Sequence, residues 1–334
     1  MSQVFTAIGN ACTDLVAKVD DAFLVKHNIR KFHCTHLTTA EALQVIKDDL
    51  PSFQSIAGGA GANVAHVISA LGGESHFISK IAADPEGLSF KKYMEENGVA
   101  CHFPPASPAE LGGSSIVVTL LTNDGERTFI SYDVIAKTFS SDDYDFDIIR
   151  ASNILYLDGY SFCSDKTGES FIKAARANTE SGGTTIFNLG DLSILEANPK
   201  EIANLLPYCS GMICNYTEAR VLFGSPDIDT LITRMKSQFK IGAITNGADG
   251  STVFANGQTA YIAAEDISNL AEIDTNGAGD HFSGGFLYGL MNGYDLSAAG
   301  KLGNLCAKDC LSHAGARPLG GRGSLNHLAK LTKS

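Results

Sequence analysis

No C-x-x-C pair occurs in the 334 residues, although cysteines stand at 12, 34, 101, 163, 209, 214, 306 and 310. The tightest spacings, Cys209 to Cys214 and Cys306 to Cys310, have no histidine pair to match. Zinc and a disulfide framework are therefore disfavoured, and reduced thiols in a cytosolic chain are expected. No apolar run approaches the roughly 20 residues that span a bilayer. The N-terminus has neither a basic region nor a long apolar stretch, so a soluble, cytoplasmic protein is expected. Positive charge is scarce: 25 Lys and Arg against 37 Asp and Glu leave a net charge of −12. That balance argues against binding nucleic acid through its phosphates over a broad surface. It leaves room for a nucleotide, provided the positive potential is local and comes from backbone and metal. Neither G-x-x-x-x-G-K-[ST] nor G-x-G-x-x-G is present, which removes a P-loop and the dinucleotide fingerprint of a nicotinamide enzyme. Internal repeats and low-complexity tracts are also missing.

What is present is a large apolar fraction, 44%, and a strand–helix rhythm. A prior of roughly 150 residues per domain allows two domains, but one large α/β domain over 1–334 fits as well. Val4–Ile8, His76–Ile81, Asn153–Leu157, Thr184–Leu189, Met212–Cys214 and Ile241–Thr245 read as strands. Between them, 86–96, 165–179, 199–206, 216–223 and 228–238 read as helices, and 278–291 and 296–312 close the chain. Such alternation implies a largely parallel sheet covered on both faces. Two hairpins interrupt it: 115–121 with 127–132 around Asn123-Asp124-Gly125-Glu126, and 251–254 with 259–263 around Asn256-Gly257. Residues 15–50 hold helical stretches at 21–27 and 39–49 but are otherwise hard to place, and Phe32–Leu37 is ambiguous.

Two glycine-rich helix entries stand out. In Asp274-Thr275-Asn276-Gly277-Ala278-Gly279-Asp280, small residues free the backbone N–H groups to turn toward an anion, and the helix that follows adds its positive end. Asp280 falls in the first turn, where the same dipole favours its ionised form. A carboxylate beside such an anion hole suits a general base next to a transferring phosphoryl group. The plainer alternative is an Asp near an N-cap after a flexible loop. The second entry is Gly58-Gly59-Ala60-Gly61-Ala62-Asn63, where Val64 replaces the third glycine of a dinucleotide loop. Asn10 and Asp14, just beyond the first strand, form an amide–carboxylate pair able to bind adjacent sugar hydroxyls, or are simply turn residues.

Four pieces in order resemble the ribokinase-like (PfkB) family of carbohydrate and nucleoside kinases. They are Gly58-Gly59 with Asn63, Ala65 and Leu71-Gly72-Gly73; Asn215-Tyr216-Thr217-Glu218; Thr245-Asn246-Gly247-Ala248-Asp249-Gly250; and Asp274 to Asp280. The resemblance covers about residues 4–318. It implies a three-layer α/β/α fold with a small β-sheet lid drawn from parts of 12–55 and 100–138. It also implies ATP- and Mg2+-dependent transfer of the γ-phosphate to a hydroxymethyl group. Asp280 becomes the base and Gly277, Ala278 and Gly279 the anion hole. Thr245, Gly247 and Gly250 belong to the ATP loop, the last for its geometry. Asn215 and Glu218 lie near the magnesium, Glu218 acting through water. Asn10, Asp14, Gly58, Gly59 and Asn63 become the clamp on the acceptor's hydroxyls.

Within the family, members of adenosine-kinase type stack the base on an aromatic residue near mid-chain. Tyr160 in Leu157-Asp158-Gly159-Tyr160-Ser161-Phe162 is the candidate, Phe162 the second choice, with core packing the alternative for either. Arg127 matches a lid arginine that reaches the phosphates on closure. The Ser312-His313-Ala314-Gly315-Ala316-Arg317-Pro318 tail also looks like that branch. The resemblance thus points to phosphorylation of a ribonucleoside, adenosine foremost, with a sugar kinase for ribose, fructose or a relative as the alternative. A non-catalytic nucleoside sensor is a further alternative, disfavoured by the intact Asp280. Asn276 stands where Thr is frequent, in a loop that helps hold a monovalent cation in some members; Asp274 remains for potassium. Asn304, in the last long helix, is either an ATP contact or bonded to backbone. His281, directly after the base, has no explanation from sequence. Monomer and homodimer are both compatible with an exposed lid sheet.

Overall fold

The computed structural model describes residues 3–104, 112–124, 126–270 and 273–332. Its strands, in chain order, are β1 (Val4–Ile8), β2 (Cys12–Lys18), β3 (Cys34–Leu37), β4 (Gln54–Gly58), β5 (Glu74–Ile78), β6 (Val99–His102), β7 (Ser115–Leu121), β8 (Arg127–Tyr132), β9 (Ile154–Asp158), β10 (Thr184–Asn188), β11 (Gly211–Asn215), β12 (Ile241–Thr245), β13 (Ser251–Ala255) and β14 (Gln258–Ile262). They form two sheets, a nine-stranded one ordered β14-β13-β12-β11-β10-β9-β1-β5-β6 and a five-stranded one ordered β3-β8-β7-β2-β4. From β12 to β6 the large sheet is parallel; β13 and β14 add antiparallel strands at one edge.

The run Ile154-Leu155-Tyr156-Leu157-Asp158 is buried at every position, as a strand covered on both faces must be. Leu155 and Leu157 pack with Phe171, Ala175, Phe223 and Met235 from helices 167–180, 216–223 and 228–236. Ile154 and Tyr156 pack on the other side with Ile68, Phe282, Phe286 and Ala299 from helices 60–70, 278–291 and 296–311. The result is the expected α/β three-layer arrangement. On the second face the helices cross closely. A Cβ on Gly285 would lie 2.9 Å from Cys306 Sγ, and one on Gly289 would lie 2.8 Å from Ala299 Cα. Small residues there let helix 278–291 pack tightly, which fixes the residue in its first turn.

The small sheet buries one face. Leu15, Ala17, Ile116, Val118, Leu120 and Ile130 meet Phe23 and Leu24 of helix 21–26 and Leu43 and Ile46 of helix 40–49. The β7–β8 hairpin pairs as the sequence suggested, Leu121 opposite Arg127 and Ile116 opposite Tyr132. Gly125 of its turn and 105–111 of the anticipated lid segment lie outside the described residues.

Two strands of this sheet were not evident from sequence. β4 is a half-polar edge strand with Gln54 and Ser55 exposed, so it lacks the apolar alternation that marks a strand. β2 places Asp14 on a strand rather than in a loop, opposite Ile56. β5 begins two residues before the expected His76 and ends at Ile78; Ser79 then leaves the ladder, its hydroxyl accepting from Ala11 N at 2.9 Å. The β13–β14 turn has positive φ at both Asn256 and Gly257, the geometry of a tight two-residue hairpin.

Strands after β1 add to one side as β5 and β6 and to the other as β9 to β12, so the order reverses between β1 and β9. In open α/β sheets, ligands occupy the crevice beyond the carboxyl ends at such a reversal. Asn10 follows β1, Asp158 ends β9, Asn215 ends β11 and Thr245 ends β12. No helix among the described residues is long and apolar enough to cross a membrane.

Candidate active site

Gly277 caps helix 278–291 with φ of 78°, in the left-handed region that favours glycine. A Cβ there would stand 2.8 Å from Ala316 Cα, so space as well as conformation requires the bare residue. Gly279 meets nothing: a Cβ would have no neighbour within 4 Å. The mouth of the helix start is therefore open. Asp280 lies half-buried in this first turn and accepts from Asn63 Nδ2 at 2.7 Å, bringing together residues 217 apart in sequence. Burial raises the Asp280 carboxyl to about 7, with Asp158's charge adding to it, while the Asn63 bond and Arg317 oppose. The dipole effect expected from sequence is outweighed by loss of water, and a group titrating near neutrality suits a base better. Asn63 is 4% exposed and its Oδ1 has no partner among the described residues.

Beside it, Gly58 permits the approach of Asp14: a Cβ would fall 2.7 Å from Asp14 Oδ1. Gly59, with φ of 95°, takes its place against the Asn10 carbonyl. Burial raises Asp14 to about 6, with Arg317 and a bond from the Cys12 thiol opposing. Asn10 Oδ1 accepts from Ser115 Oγ at 3.4 Å. Asp158 was not singled out in the sequence. It is buried, accepts from Gly61 N and Tyr160 N at 3.0 Å each, and so ties the end of β9 to the start of helix 60–70. Burial pushes it to about 6 against those N–H bonds.

Of the two aromatic candidates, Phe162 belongs to the core, edge-on to Phe171 and Phe187. Tyr160 does not. It is 47% exposed, and its hydroxyl donates to Gly190 O at 3.1 Å. Its ring rests where a Cβ on Gly190 would otherwise be, 2.7 Å from Cε2.

Next to Gly190 opens a cleft of about 350 Å³ lined by Asp191, Asn215, Glu218, Thr245 and Gly247 among others. Asn215 caps helix 216–223 in a reciprocal box. Its Oδ1 accepts from Glu218 N at 2.9 Å, while its N and Nδ2 donate to Glu218 Oε2 and Oε1 at 3.1 and 2.6 Å. Glu218 is 3% exposed; burial raises it to about 7, the Asn215 N–H opposing and Asp191 adding. Each Glu218 oxygen is taken by an Asn215 N–H, so a divalent ion in this acid-lined cleft would meet Glu218 through its waters rather than directly. Among the described residues no cluster of three or more His, Cys, Asp or Glu could cage one directly. Mg2+ held by one or two carboxylates, waters and phosphates needs no such cage. Gly247 has φ of 52° and open space above it. Gly250 has φ of 82°, and a Cβ would reach 2.7 Å from Ala264 N, so its role is loop geometry.

For Asn304 the structure shows the second alternative, a residue bonded to backbone. It is buried, its Oδ1 accepts from Ser251 Oγ at 3.0 Å, and its Nδ2 donates to Ala263 O at 2.8 Å and Ile262 O at 3.3 Å. All its polar atoms tie the β13–β14 hairpin to helix 296–311. Arg127 and Asp274 are found in another arrangement. Arg127 Nη2 donates to Asp274 Oδ1 at 2.9 Å, bridging the small sheet to the glycine loop. Asp274 further accepts from Asn276 N at 3.0 Å and Gly315 N at 3.1 Å. Burial works to raise Asp274, but these donors and the guanidinium outweigh it and hold it below its ordinary value. So bonded, Asp274 is an ion-pair partner in this structure rather than a cation ligand. His281 now has an account: fully buried and pulled down to about 4 by desolvation, it is neutral, and its Nε2 donates to Ala316 O at 3.3 Å.

The sequence matches the pfkB family carbohydrate kinase model over residues 8–319. The fold is similar to adenosine kinase from Sinorhizobium meliloti, with 27% identity, 99% of each chain covered and a TM-score of 0.85. It is equally similar to a probable sugar kinase from Rhizobium etli, with 26% identity, 99% and 98% of the two chains and a TM-score of 0.85. Adenosine kinase of Saccharomyces cerevisiae is 22% identical over 339 residues, taking in 94% of this chain and 96% of the yeast protein. Matched over nearly its whole length and in its fold, the chain belongs to the pfkB family of carbohydrate kinases, phosphotransferases that act on an alcohol group.

Proposed function

We propose that the chain transfers the γ-phosphate of ATP to the 5′-hydroxyl of a ribonucleoside, adenosine foremost. The observation that carries the nucleoside reading is Tyr160, an aromatic ring left 47% exposed beside the Asp158 turn, where core packing has no claim on it. Stacking a base on such a ring contributes on the order of 1–3 kcal/mol. Asp14 and Asn63 supply acceptors for sugar hydroxyls, the orphaned Asn63 Oδ1 among them. Kinases of this family use ATP, typically with Mg2+. The ion supplies neutralisation of phosphate charge, and Glu218 with Asp191 would hold its waters.

In this reading Asp280 takes the proton from the acceptor hydroxyl as that oxygen bonds to the γ-phosphorus and the β–γ bridging P–O bond breaks, releasing ADP. The N–H groups of Gly277, Ala278 and Gly279 face the charge spread over the transferred oxygens, so the catalysis is mostly positioning and electrostatics. Thr245 and Gly247 line the triphosphate. Arg127 exchanges Asp274 for phosphate, and the small sheet acts as a lid that keeps water out. In the same reading the chain is one kinase domain over 1–334 with that sheet as its appendage.

A substrate panel tests the acceptor: adenosine turned over in preference to ribose and fructose is expected, and inert adenosine with active ribose overturns the nucleoside assignment. Tyr160→Ala is expected to raise the nucleoside KM by about tenfold or more while the ATP KM stays near wild type; equal rises would remove stacking from the argument. The pH profile follows from Asp280. The base form predominates only above its titration near 7, so kcat/KM should fall about tenfold per unit below that pH. A profile flat from pH 8 down to 5 would contradict it.

A further inference from the structure

Arg317 was part of a tail motif in the sequence and has entered the site so far only as a charge opposing the burial of Asp14 and Asp280. It is 4% exposed, and among the described residues its guanidinium makes no ion pair. Instead Nε donates to Ala57 O at 2.9 Å, Nη2 to Gly58 O at 2.8 Å, and Nη1 to Ala62 O at 2.8 Å and Met94 Sδ at 2.9 Å. The rings of Phe90 and Tyr93 flank it, with centroids 5.7 and 5.9 Å away. A buried, always-charged group without a paired carboxylate is an expensive arrangement, so its placement calls for a reason.

The three carbonyls supply one. Ala57 and Gly58 end β4, the small-sheet strand paired with β2, whereas Ala62 lies in the first turn of the helix that carries Asn63. Between them the chain turns at Gly59, φ 95°. A flat fork bonded on both sides of that turn fixes the angle at which the small sheet meets the main body. It thereby sets Asp14, which faces Gly58, relative to Asn63 and the Asp280 that Asn63 holds. His281 and the Gly277–Ala316 contact anchor the preceding residue, so the clamp is fastened to the same helix start.

We propose that Arg317 is a positioning residue for phosphoryl transfer: it clamps the Gly58–Gly59 turn and so holds Asp14 in place against Asn63 and Asp280. This rests on the reading of Asp280 as the base. The titratable groups that face the guanidinium are Cys12 and Asp14 from β2, Tyr93 from helix 85–96, His66 from helix 60–70, Cys101 from β6 and Asp280. Arg317 works to lower both carboxylates against their burial.

The test compares wild type, Arg317→Lys and Arg317→Gln in the full chain, with adenosine, ATP and Mg2+, from pH 5.5 to 9. Arg317→Gln is expected to lower kcat/KM for the acceptor about 10²-fold with the KM for ATP little changed. Removing the charge makes both carboxylates harder to ionise, so the acidic limb should move to higher pH. Arg317→Lys keeps the charge but not the fork, and should lose acceptor kcat/KM with its limb in place. An unmoved limb in a folded Arg317→Gln, or acceptor and ATP parameters falling together, overturns the proposal. If Arg317→Gln does not fold, wild-type acceptor kinetics in Arg317→Lys overturn it instead. Asp280→Asn run alongside separates the two readings: turnover surviving there defeats the base assignment, whereas its loss beside an unshifted Arg317→Gln defeats the clamp alone.

Discussion

Asp280→Asn is expected to lower turnover by about 10²–10⁴-fold while nucleoside and ATP affinities measured by calorimetry stay within a few fold. The amide is isosteric and its oxygen can still accept the 2.7 Å bond from Asn63 Nδ2, so the architecture of the site has no reason to change. Stability provides the control. Folding raises this carboxyl from its ordinary value to about 7, chiefly by burial. A carboxylate raised in that way costs stability increasingly as pH climbs from the unfolded value to the folded one, and the full cost is present above it. An uncharged amide removes the cost, so the variant should melt at or above the wild-type temperature at pH 8. Catalysis lost from a protein that is at least as stable isolates proton removal from folding. Turnover within tenfold of wild type would mean that another group takes the proton.

Gly279→Ala carries the second large effect, and it separates space needed by the fold from space needed by the ligand. A Cβ at Gly279 meets no protein atom within 4 Å, and the residue sits in a helix, where replacing Gly by Ala stabilises by about 1 kcal/mol. The melting temperature should therefore hold or rise. Yet the methyl would project into the open volume over the helix start, where the proposed phosphoryl oxygens meet backbone N–H groups. Displacing even one such donor costs about 10²–10³-fold in kcat. Gly277→Ala is the contrasting control, since it would be strained by its left-handed φ of 78° and by Ala316 and should lose stability as well. Steady-state kinetics and thermal melts of the pair decide the matter; full activity in Gly279→Ala would mean that phosphate does not lie there.

Much of this site could be read from linear patterns because helix entries advertise themselves locally. Gly58–Asn63 and Asp274–Asp280 each place small residues and a polar side chain within one turn, and both lie where expected. Side chains whose role depends on distant chain segments could not be read in that way. Asp158 meets the glycine-rich entry at 58–63 because Gly61 donates to it across 97 positions, and Arg317 because residues more than 250 positions earlier offer carbonyls. Asn304 could not be decided between its two alternatives for the same reason: its bonds to Ser251 and Ala263 exist only once the hairpin packs on the helix. The small sheet was half legible. Its β7–β8 hairpin has apolar alternation and a turn, whereas β4 has neither and is a strand only because β2 lies beside it. The titration of Asp280 was misjudged because a dipole can be inferred from a helix start, whereas the depth of burial cannot.

The Arg127–Asp274 bridge bears on how the mouth of the protein behaves when empty. Its partners are 38% and 21% exposed, and a pair so wetted contributes about 0–1 kcal/mol. That corresponds to a bias of at most about fivefold, which is a latch rather than a lock. On the proposed lid reading, this pair by itself therefore adds little to the cost of opening. Added salt loosens the latch further, so arrival rates should respond to ionic strength even for an uncharged visitor.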